Sequence, residues 1–304
     1  MKTDDNKQGN LIAEEGSERK PATPKRRSAM EKVQERARKA EEKSQLQLKI
    51  WADEIREAPN EALRSALFNA RNRNQVRRQI RNEEVASYGT SKVIYSGEEL
   101  RQDDLDVWLQ VLHLGRLQPL GETIYFNPTE MKKALDWGYG KDKTERLKTI
   151  LTRLKATAVN FHSGRLGKGV VLSIIRKFEY ADDEDDTRGG GTWSIELDPE
   201  VALLFGGGVY STRIEWEQRL ALDGNLSKWL HGFYSTHAKP LPLLIDTLLK
   251  PTGTQVASKY KAKALVTEAH NELVRVGFLK EFSISKDGLI TVERAPLKKV
   301  LTSE

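Results

Sequence analysis

A predicted helix between Gln255 and Val276 carries the residues whose types are best suited to binding a polyanion. Its apolar residues recur at helical spacing, which predicts one core-facing side. The opposite side holds cations, an aromatic ring and small hydrogen-bonding groups, and acids are scarce before Glu268. This outward set is Lys259, Tyr260, Lys261, Lys263, Ala264, Thr267 and Asn271.

These residue types predict contact with DNA. Lysine donates to the O6 and N7 atoms of guanine, and the methyl groups of alanine and threonine can touch the methyl group of thymine. A face that meets only water would more often alternate Glu with Lys. We therefore expect base or phosphate contacts from this helix.

A second basic helix is predicted about one small domain earlier, from Lys141 to Ala158. Its outward residues are Lys141, Lys143, Glu145, Lys148, Thr149, Thr152, Arg153 and Ala156. Glu145 could accept a hydrogen bond from cytosine but would repel phosphates. The sequence leaves open whether this face meets DNA, a partner subunit or solvent.

A β-hairpin is predicted directly after each basic helix, at Asn160–Tyr180 and at Leu279–Arg294. Basic residues lie at or near the hairpin turns and suit backbone phosphates; they are Arg165, Lys168 and Lys286. In helix-turn-helix proteins, including those with a hairpin wing, the second helix enters the major groove. The pattern therefore indicates an α+β protein with two tandem winged-helix domains.

Five segments are expected along the 304 residues. They are a charged, disordered arm (1–50), a basic helical entry segment (51–82), two winged-helix domains (83–198 and 199–296) and a tail (297–304). The arm has too few large apolar side chains to offset the entropy of ordering. Within the entry segment, a helix is predicted over Glu61–Asn69, and the arginines that follow could contact phosphates or form a solvated face. These arginines are Arg71, Arg73, Arg77, Arg78 and Arg81.

The amino-acid composition favours a negatively charged binding partner and an intracellular location. The net charge is +6 and there is no cysteine, which excludes disulfides, thiolate metal sites and thiol nucleophiles. A reducing cytoplasm is the expected location, and neither a signal peptide nor a membrane span is predicted.

Enzymatic alternatives lack the residues they need. The glycines around Gly164–Gly169 do not have phosphate-loop spacing. The five histidines are scattered, without a metal-binding pair, and His113 and His231 are expected to pack on apolar helical faces. The acidic run Asp182–Asp186 is interpreted as a solvated loop. We expect neither catalysis nor a cofactor nor a metal.

Four groups of residues resemble the TrfA-type plasmid replication initiators, over roughly Ile50 to Val292. They are Asn60–Phe68 with Arg71 and Asn72; Tyr95–Asp104 with Val107, Trp108, Val111 and Leu112; Leu154–Ala158 with Phe161; and, in the second half, Ile214–Glu217, Tyr234, Ser235, His237, Glu268, Ala269, Glu272, Leu273 and Gly277.

The resemblance implies tandem winged-helix domains that bind directly repeated iterons in a plasmid origin. It also implies active monomers, less active or repressing dimers, origin melting, and recruitment of the host initiator DnaA, the helicase and the sliding clamp. The clamp-binding motif of this family reads Gln-Leu-x-Leu-Phe. Here Gln45, Leu46 and Leu48 match, while Lys49 replaces the aromatic residue and Trp51 is the nearest ring.

Two other functions remain open from the sequence. One is a dimeric winged-helix transcriptional repressor. The other is an adaptor whose arm and Gln45–Trp51 segment recruit partners by inserting leucine and an aromatic ring into a groove. The alternative interpretation of that segment is the start of a helix that packs against the protein's own body.

Overall fold

The computed structural model describes Met30 and residues 47–296, apart from residues 73, 90, 163–168, 182–190 and 207–209. The predicted tail and nearly all of the predicted disordered arm lie outside the described residues. So do five predicted site residues, namely Gln45, Leu46, Arg73, Arg165 and Lys168.

The first part of the chain alternates short strands with three helices before the first basic helix. Its elements are β1 (Ile55–Pro59), α1 (Asn60–Leu63), β2 (Phe68–Asn69), β3 (Gln79–Val85), β4 (Lys92–Glu98), β5 (Leu100–Arg101), α2 (Gln102–Gly115), β6 (Thr123–Phe126), α3 (Pro128–Ala134) and α4 (Lys141–Lys155). The predicted helix with Lys141 at its start is confirmed as α4, and it ends three residues earlier than expected.

The remaining elements follow α4. They are β7 (Ala158–His162), β8 (Gly169–Leu172), β9 (Lys177–Glu179), β10 (Trp193–Glu196), α5 (Val201–Phe205), β11 (Ser211–Glu215), α6 (Trp216–Leu220), α7 (Asn225–Ser235), β12 (Leu243–Leu244), α8 (Ile245–Leu249), α9 (Lys259–Arg275), β13 (Leu279–Ile284) and β14 (Leu289–Arg294). The predicted hairpin Leu279–Arg294 is confirmed as β13–β14, and α9 begins four residues after the predicted Gln255.

Most strand pairs are antiparallel, in keeping with the α+β prediction. A four-stranded sheet has the order β3-β4-β7-β8, and two three-stranded sheets have the orders β6-β10-β9 and β12-β14-β13. The first predicted hairpin is divided between two of these sheets, because β7 pairs with β8 whereas β9 pairs with β10. No helix in the described part of the chain is long and apolar enough to cross a membrane.

Two hydrophobic clusters form the core. The first contains residues from Leu48 to Trp216, and the second contains Ala70 and residues from Leu222 to Ile290. Along the chain, buried residues therefore pass from the first cluster to the second between Trp216 and Leu222. This point lies about 20 residues after the predicted domain boundary at 198/199.

The strand β1 explains this shift, because it pairs with β11 from the predicted second domain, in the register Ile55 with Glu215. Its charged residues are buried because they have internal partners. The Nε of Arg56 donates to the Oε1 of Gln110 at 2.8 Å, and its guanidinium lies over the ring of Trp216.

The entry segment contains only the short helix α1, so the predicted helix over Glu61–Asn69 is wrong beyond Leu63. The strand β2 pairs with β5 in parallel, and the side chain of Gln102 donates to the carbonyl of Phe68. These long-range hydrogen bonds satisfy backbone groups of Phe68 and Asn69 that a longer helix would have paired within itself.

A buried ion cluster joins α2 of the first cluster to α6 and α7. The Oδ1 of Asp106 lies 2.6 Å from the Nε of Arg219, and its Oδ2 lies 2.6 Å from the Nζ of Lys228. Arg219 also donates to the side chain of Gln102 at 3.0 Å. Because Arg219 is fully buried, these bonds are required to satisfy its charge.

Candidate nucleic-acid interface

The helix α9 begins and ends with recognisable caps. The Oγ of Ser258 accepts a hydrogen bond from the backbone N–H of Lys261, which satisfies one of the free donors of the first turn. Gly277 follows the helix with φ of +73°, a conformation that glycine adopts without steric cost. The core-facing side consists of Ala262, Val266, Ala269 and Leu273, all of which are buried.

The outward face of α9 lines an open concavity of about 800 Å³. Its lining contains five residues of the outward set predicted from the sequence, together with four charged residues. They are Tyr260, Lys263, Ala264, Thr267 and Asn271, then Asp223, Glu268, Glu272 and Arg275. The ring of Tyr260 is 84% exposed. The predicted outward orientation is confirmed, and DNA contact by these residues stays a prediction.

The lysines at the start of α9 are not neutralised by the protein. Within the described ranges, no carboxylate lies within ion-pair distance of the ammonium groups of Lys259, Lys261 or Lys263. All three side chains are exposed, as is Lys286 at the turn between β13 and β14. Four unpaired cations are therefore available to an external anion on this helix and its hairpin.

The outward face of α4 lines a smaller concavity of about 410 Å³. It combines the predicted outward residues of the helix with residues of β3 and β4, namely Gln79, Gly97, Glu98, Glu145, Lys148, Thr149, Thr152, Arg153 and Ala156. Here too the sequence identified the correct side of the helix, since its apolar residues Leu147, Ile150, Leu151 and Leu154 are buried.

Most cations of α4 are already engaged within the protein. The Nζ of Lys148 lies 3.8 Å from the ring centroid of Tyr180, and the Nζ of Lys143 lies 3.0 Å from a carboxylate oxygen of Asp142. The side chain of Arg153 is 8% exposed and pairs with Asp104. Lys141 and Thr152 are exposed as predicted.

Asp104 is the centre of a buried charge network. One of its oxygens lies 2.6 Å from Arg77 and the other lies 2.6 Å from Arg153. The backbone N–H of Arg101 also donates to it, at 2.7 Å. Burial and the neighbouring carboxylate of Asp103 raise the pKa of Asp104 to about 6, although both arginines oppose this rise.

The network gives several predicted phosphate-binding arginines partners within the protein. The guanidiniums of Arg77 and Arg153 pair with the protein's own carboxylates, which gives both residues a structural role, and phosphate contact by them stays a prediction. Arg71 pairs with the buried Glu99 at 3.2 Å. Arg78 remains half exposed and pairs with Glu83 at 3.2 Å. The sequence could not show this, because these acids precede α2 or lie within its first turn, 20 or more residues away for Arg71 and Arg77.

The Gln45–Trp51 segment docks on the body as far as it is described. Leu48 is 3% exposed and Trp51 is 4% exposed. The indole N–H of Trp51 donates to the Nδ1 of His113 at 3.0 Å, and its ring stacks on Phe205. Leu48 and Trp51 thus pack on the protein's own body, as the alternative interpretation of this segment expected, and partner binding by the segment stays a prediction.

The pattern of the TrfA protein family matches residues 6–294 of the sequence. The chain belongs to the TrfA family. It is 31% identical over 239 residues to the plasmid replication initiator protein TrfA of Escherichia coli, and the match covers 78% of this chain and 61% of that relative. The chain thus spans less than two thirds of that relative's length.

A solved structure shares the fold of this TrfA-family chain. The crystal structure of domains 2 and 3 of RctB aligns with a TM-score of 0.53 at 13% identity, covering 79% of this chain and 99% of that one. At this level of identity the likeness shows a common fold of mixed helices and strands.

The histidines of the TrfA-family chain are mainly core residues. His113, His231 and His270 are buried, and burial lowers the pKa of His113 and of His270 to about 4 in each case. Desolvation lowers the pKa of His231 well below its ordinary value. Among the described residues, no group of three or more His, Asp or Glu side chains could hold a metal ion.

Three exposed residues on or beside the two basic helices were not among the predicted contacts. Tyr139 is 80% exposed directly before the start of α4, much as Tyr260 is exposed in the first turn of α9. Glu268 and Arg275 lie in the α9 concavity. Position at a helix start was a usable signal for Tyr139, whereas Glu268 and Arg275 were not among the residues expected to contact DNA.

Proposed function

We propose that this chain is a plasmid replication initiator that binds directly repeated iterons in the plasmid origin. The observation that carries the proposal is the exposed face of α9, where lysines without internal ion-pair partners lie beside a β-hairpin. The relative from Escherichia coli is named a plasmid replication initiator protein, which agrees with this proposal.

Two winged-helix units supply the binding surface in this proposal. The helix α9 enters the major groove, with Tyr260, Lys263 and Thr267 toward base edges. The β13–β14 hairpin places Lys286 on backbone phosphates. The helix α4 and its β7–β8 hairpin form the second unit, with Lys141, Lys143, Lys148 and Thr152 as the candidate contacts.

The two units are unequal, which favours one asymmetric site read by a monomer over a symmetric site read by a dimer. Asp106 and its partners Arg219 and Lys228 connect α2 to the second cluster. A fixed connection of this kind makes the spacing of the two contacts on DNA a property of one chain. Dimers would then compete with the initiating form.

Bound to the repeats, the protein is proposed to help melt the origin and to bring the host initiator DnaA and the helicase to it, within the bacterial cytoplasm. The burial of Leu48 and Trp51 speaks against clamp recruitment through that pair. Catalysis is not part of the proposal, nor is any cofactor.

Footprinting on the plasmid's own origin tests this function. We expect protection of direct repeats and affinity that falls steeply with salt, since lysines that neutralise phosphates release counterions. Protection of a single inverted repeat would indicate the repressor instead. Binding that is indifferent both to sequence and to salt would contradict the proposal altogether.

A further inference from the structure

A glutamate lies on the lysine-rich face that the proposed function assigns to DNA. Glu268 is exposed and lines the α9 concavity as well as the neighbouring cleft that contains Asn225 and Thr254. Its carboxylate forms no ion pair with any residue in the described part of the chain. A negative charge there repels DNA phosphates, so its position requires a compensating interaction.

The two other acids of this concavity have structural partners. The carboxylate of Glu272 accepts hydrogen bonds from the backbone N–H groups of Asp223 and Gly224, at 2.9 and 3.1 Å, and so caps the start of α7. Asp223 pairs with Arg275 at 3.2 Å. Glu268 is thus the acid of this surface whose role the fold does not explain.

Only some bases can donate a hydrogen bond to a carboxylate in the major groove. Guanine presents two acceptors and thymine presents one, and both repel a carboxylate. Cytosine presents the N4 amino group, which donates to Glu or Asp. Adenine also has a donor, but its N7 acceptor lies beside it. Cytosine is therefore the base that best matches a lone carboxylate.

We propose that Glu268 is a specificity-determining residue that reads a cytosine by accepting a hydrogen bond from its N4 amino group. The proposal rests on the proposed function and adds to it the identity of one base. Helical side chains lean toward the N-terminus of their helix. Glu268 therefore covers the turn that contains Ala264, whose single methyl group leaves room for a base edge between Lys263 and Thr267.

The test is a comparison of base preferences between the full-length wild type and Glu268→Gln. Both are titrated onto an iteron duplex from the plasmid's own origin and onto a set in which each base pair is replaced in turn. The wild type should prefer C·G at one position by on the order of tenfold or more. Because glutamine pairs with adenine, the variant should shift its preference at that position from cytosine to adenine.

Asp223→Asn is the matched control, since it removes one negative charge from the same concavity but not from the helix. It should change affinity for all duplexes by a common factor and leave every base preference in place. Glu268→Ala should lose the cytosine preference without gaining one for adenine.

The outcomes separate this inference from the proposed function. If the wild type prefers iterons but Glu268→Gln keeps the same base profile, Glu268 does not read a base, and initiation stands. If the wild type binds iterons no better than random duplexes, both proposals are overturned.

Discussion

The two basic helices look alike in sequence and differ in what their charges do. On α9, the ammonium groups of Lys259, Lys261 and Lys263 have no carboxylate partner among the described residues. On α4, Arg153 pairs with the buried Asp104 at 2.6 Å and Lys148 lies over the ring of Tyr180. A count of basic residues therefore overstates the contribution of α4 to DNA binding.

The difference teaches that basic residues serve two purposes in this chain. A buried arginine must be paired, because an isolated charge in the interior costs several kcal/mol. An exposed lysine needs no partner in the protein and can exchange counterions for phosphates. The α4 side therefore uses its charge to hold β4, α2 and the segment before β3 together, whereas α9 presents its charge outward.

The largest expected effect lies in the α4 network. Asp104→Ala leaves Arg77 and Arg153 without their shared carboxylate, so the free energy of unfolding should fall by about 3–5 kcal/mol. Urea denaturation followed by circular dichroism measures it. Asp223→Asn, which removes an exposed ion pair, should cost about 0–1 kcal/mol. Equal losses from the two variants would show that the network is not structural.

The second effect concerns pH and the inner side of α9. There, the Nδ1 of His270 donates to the carbonyl of Val266, and its Nε2 accepts from the hydroxyl of Tyr234. Burial lowers the pKa of His270 from 6.5 to about 4. Its contribution to stability is therefore complete above pH 6.5 and is lost as the pH falls toward 4.

This loss should amount to about 3 kcal/mol for His270, at 1.36 kcal/mol per pKa unit. Measuring the free energy of unfolding at several pH values gives the slope, and His270→Gln should reduce it, while His113 and His231, whose pKa values are also lowered, keep the remaining part. On the α4 side, the raised pKa of Asp104 changes the free energy of unfolding with pH in the opposite direction, because its carboxylate is protonated more easily in the folded state. A slope unchanged by His270→Gln would contradict the assignment.

The third effect is on DNA affinity. Replacing Lys259, Lys261 and Lys263 together by alanine should weaken iteron binding on the order of 10- to 100-fold at moderate salt. The magnitude of the slope of log affinity against log salt should fall by roughly 2 to 3. The matched variant replaces Lys143 and Lys148 of α4 and should change the slope, per lysine, by less than about half of the change expected for α9. Equal changes per lysine would remove the asymmetry between the helices.

The smallest effect compares two exposed tyrosines at the helix starts. Tyr260→Ala should lower iteron affinity several-fold, because a ring 84% exposed in the first turn of α9 is free to contact the duplex. Tyr139→Ala, before α4, should lower it less. Neither variant should change the thermal midpoint, and competition binding at fixed salt measures both.

Local patterns were sufficient where neighbours in sequence are also neighbours in space. The spacing of Val266, Ala269 and Leu273 determined which side of α9 faces the core, and the alternation and turn residues of Leu279–Arg294 determined its hairpin. The outward set that includes Tyr260 and Lys263 could therefore be identified from the sequence, as could the buried side of α4. These features depend on helical and strand periodicity, which distant residues do not alter.

Only the tertiary structure decided which charges are available to a ligand. Arg77 meets Asp103 and Asp104, Trp51 meets His113, and β1 meets β11 more than 150 residues later. Each contact joins distant parts of the chain, and its gain depends on burial that a local pattern does not report. The sequence by itself placed lysines and arginines on two helices and in the entry segment. Long-range packing left the lysines of α9 exposed and paired Arg77 and Arg153 with the protein's own carboxylates.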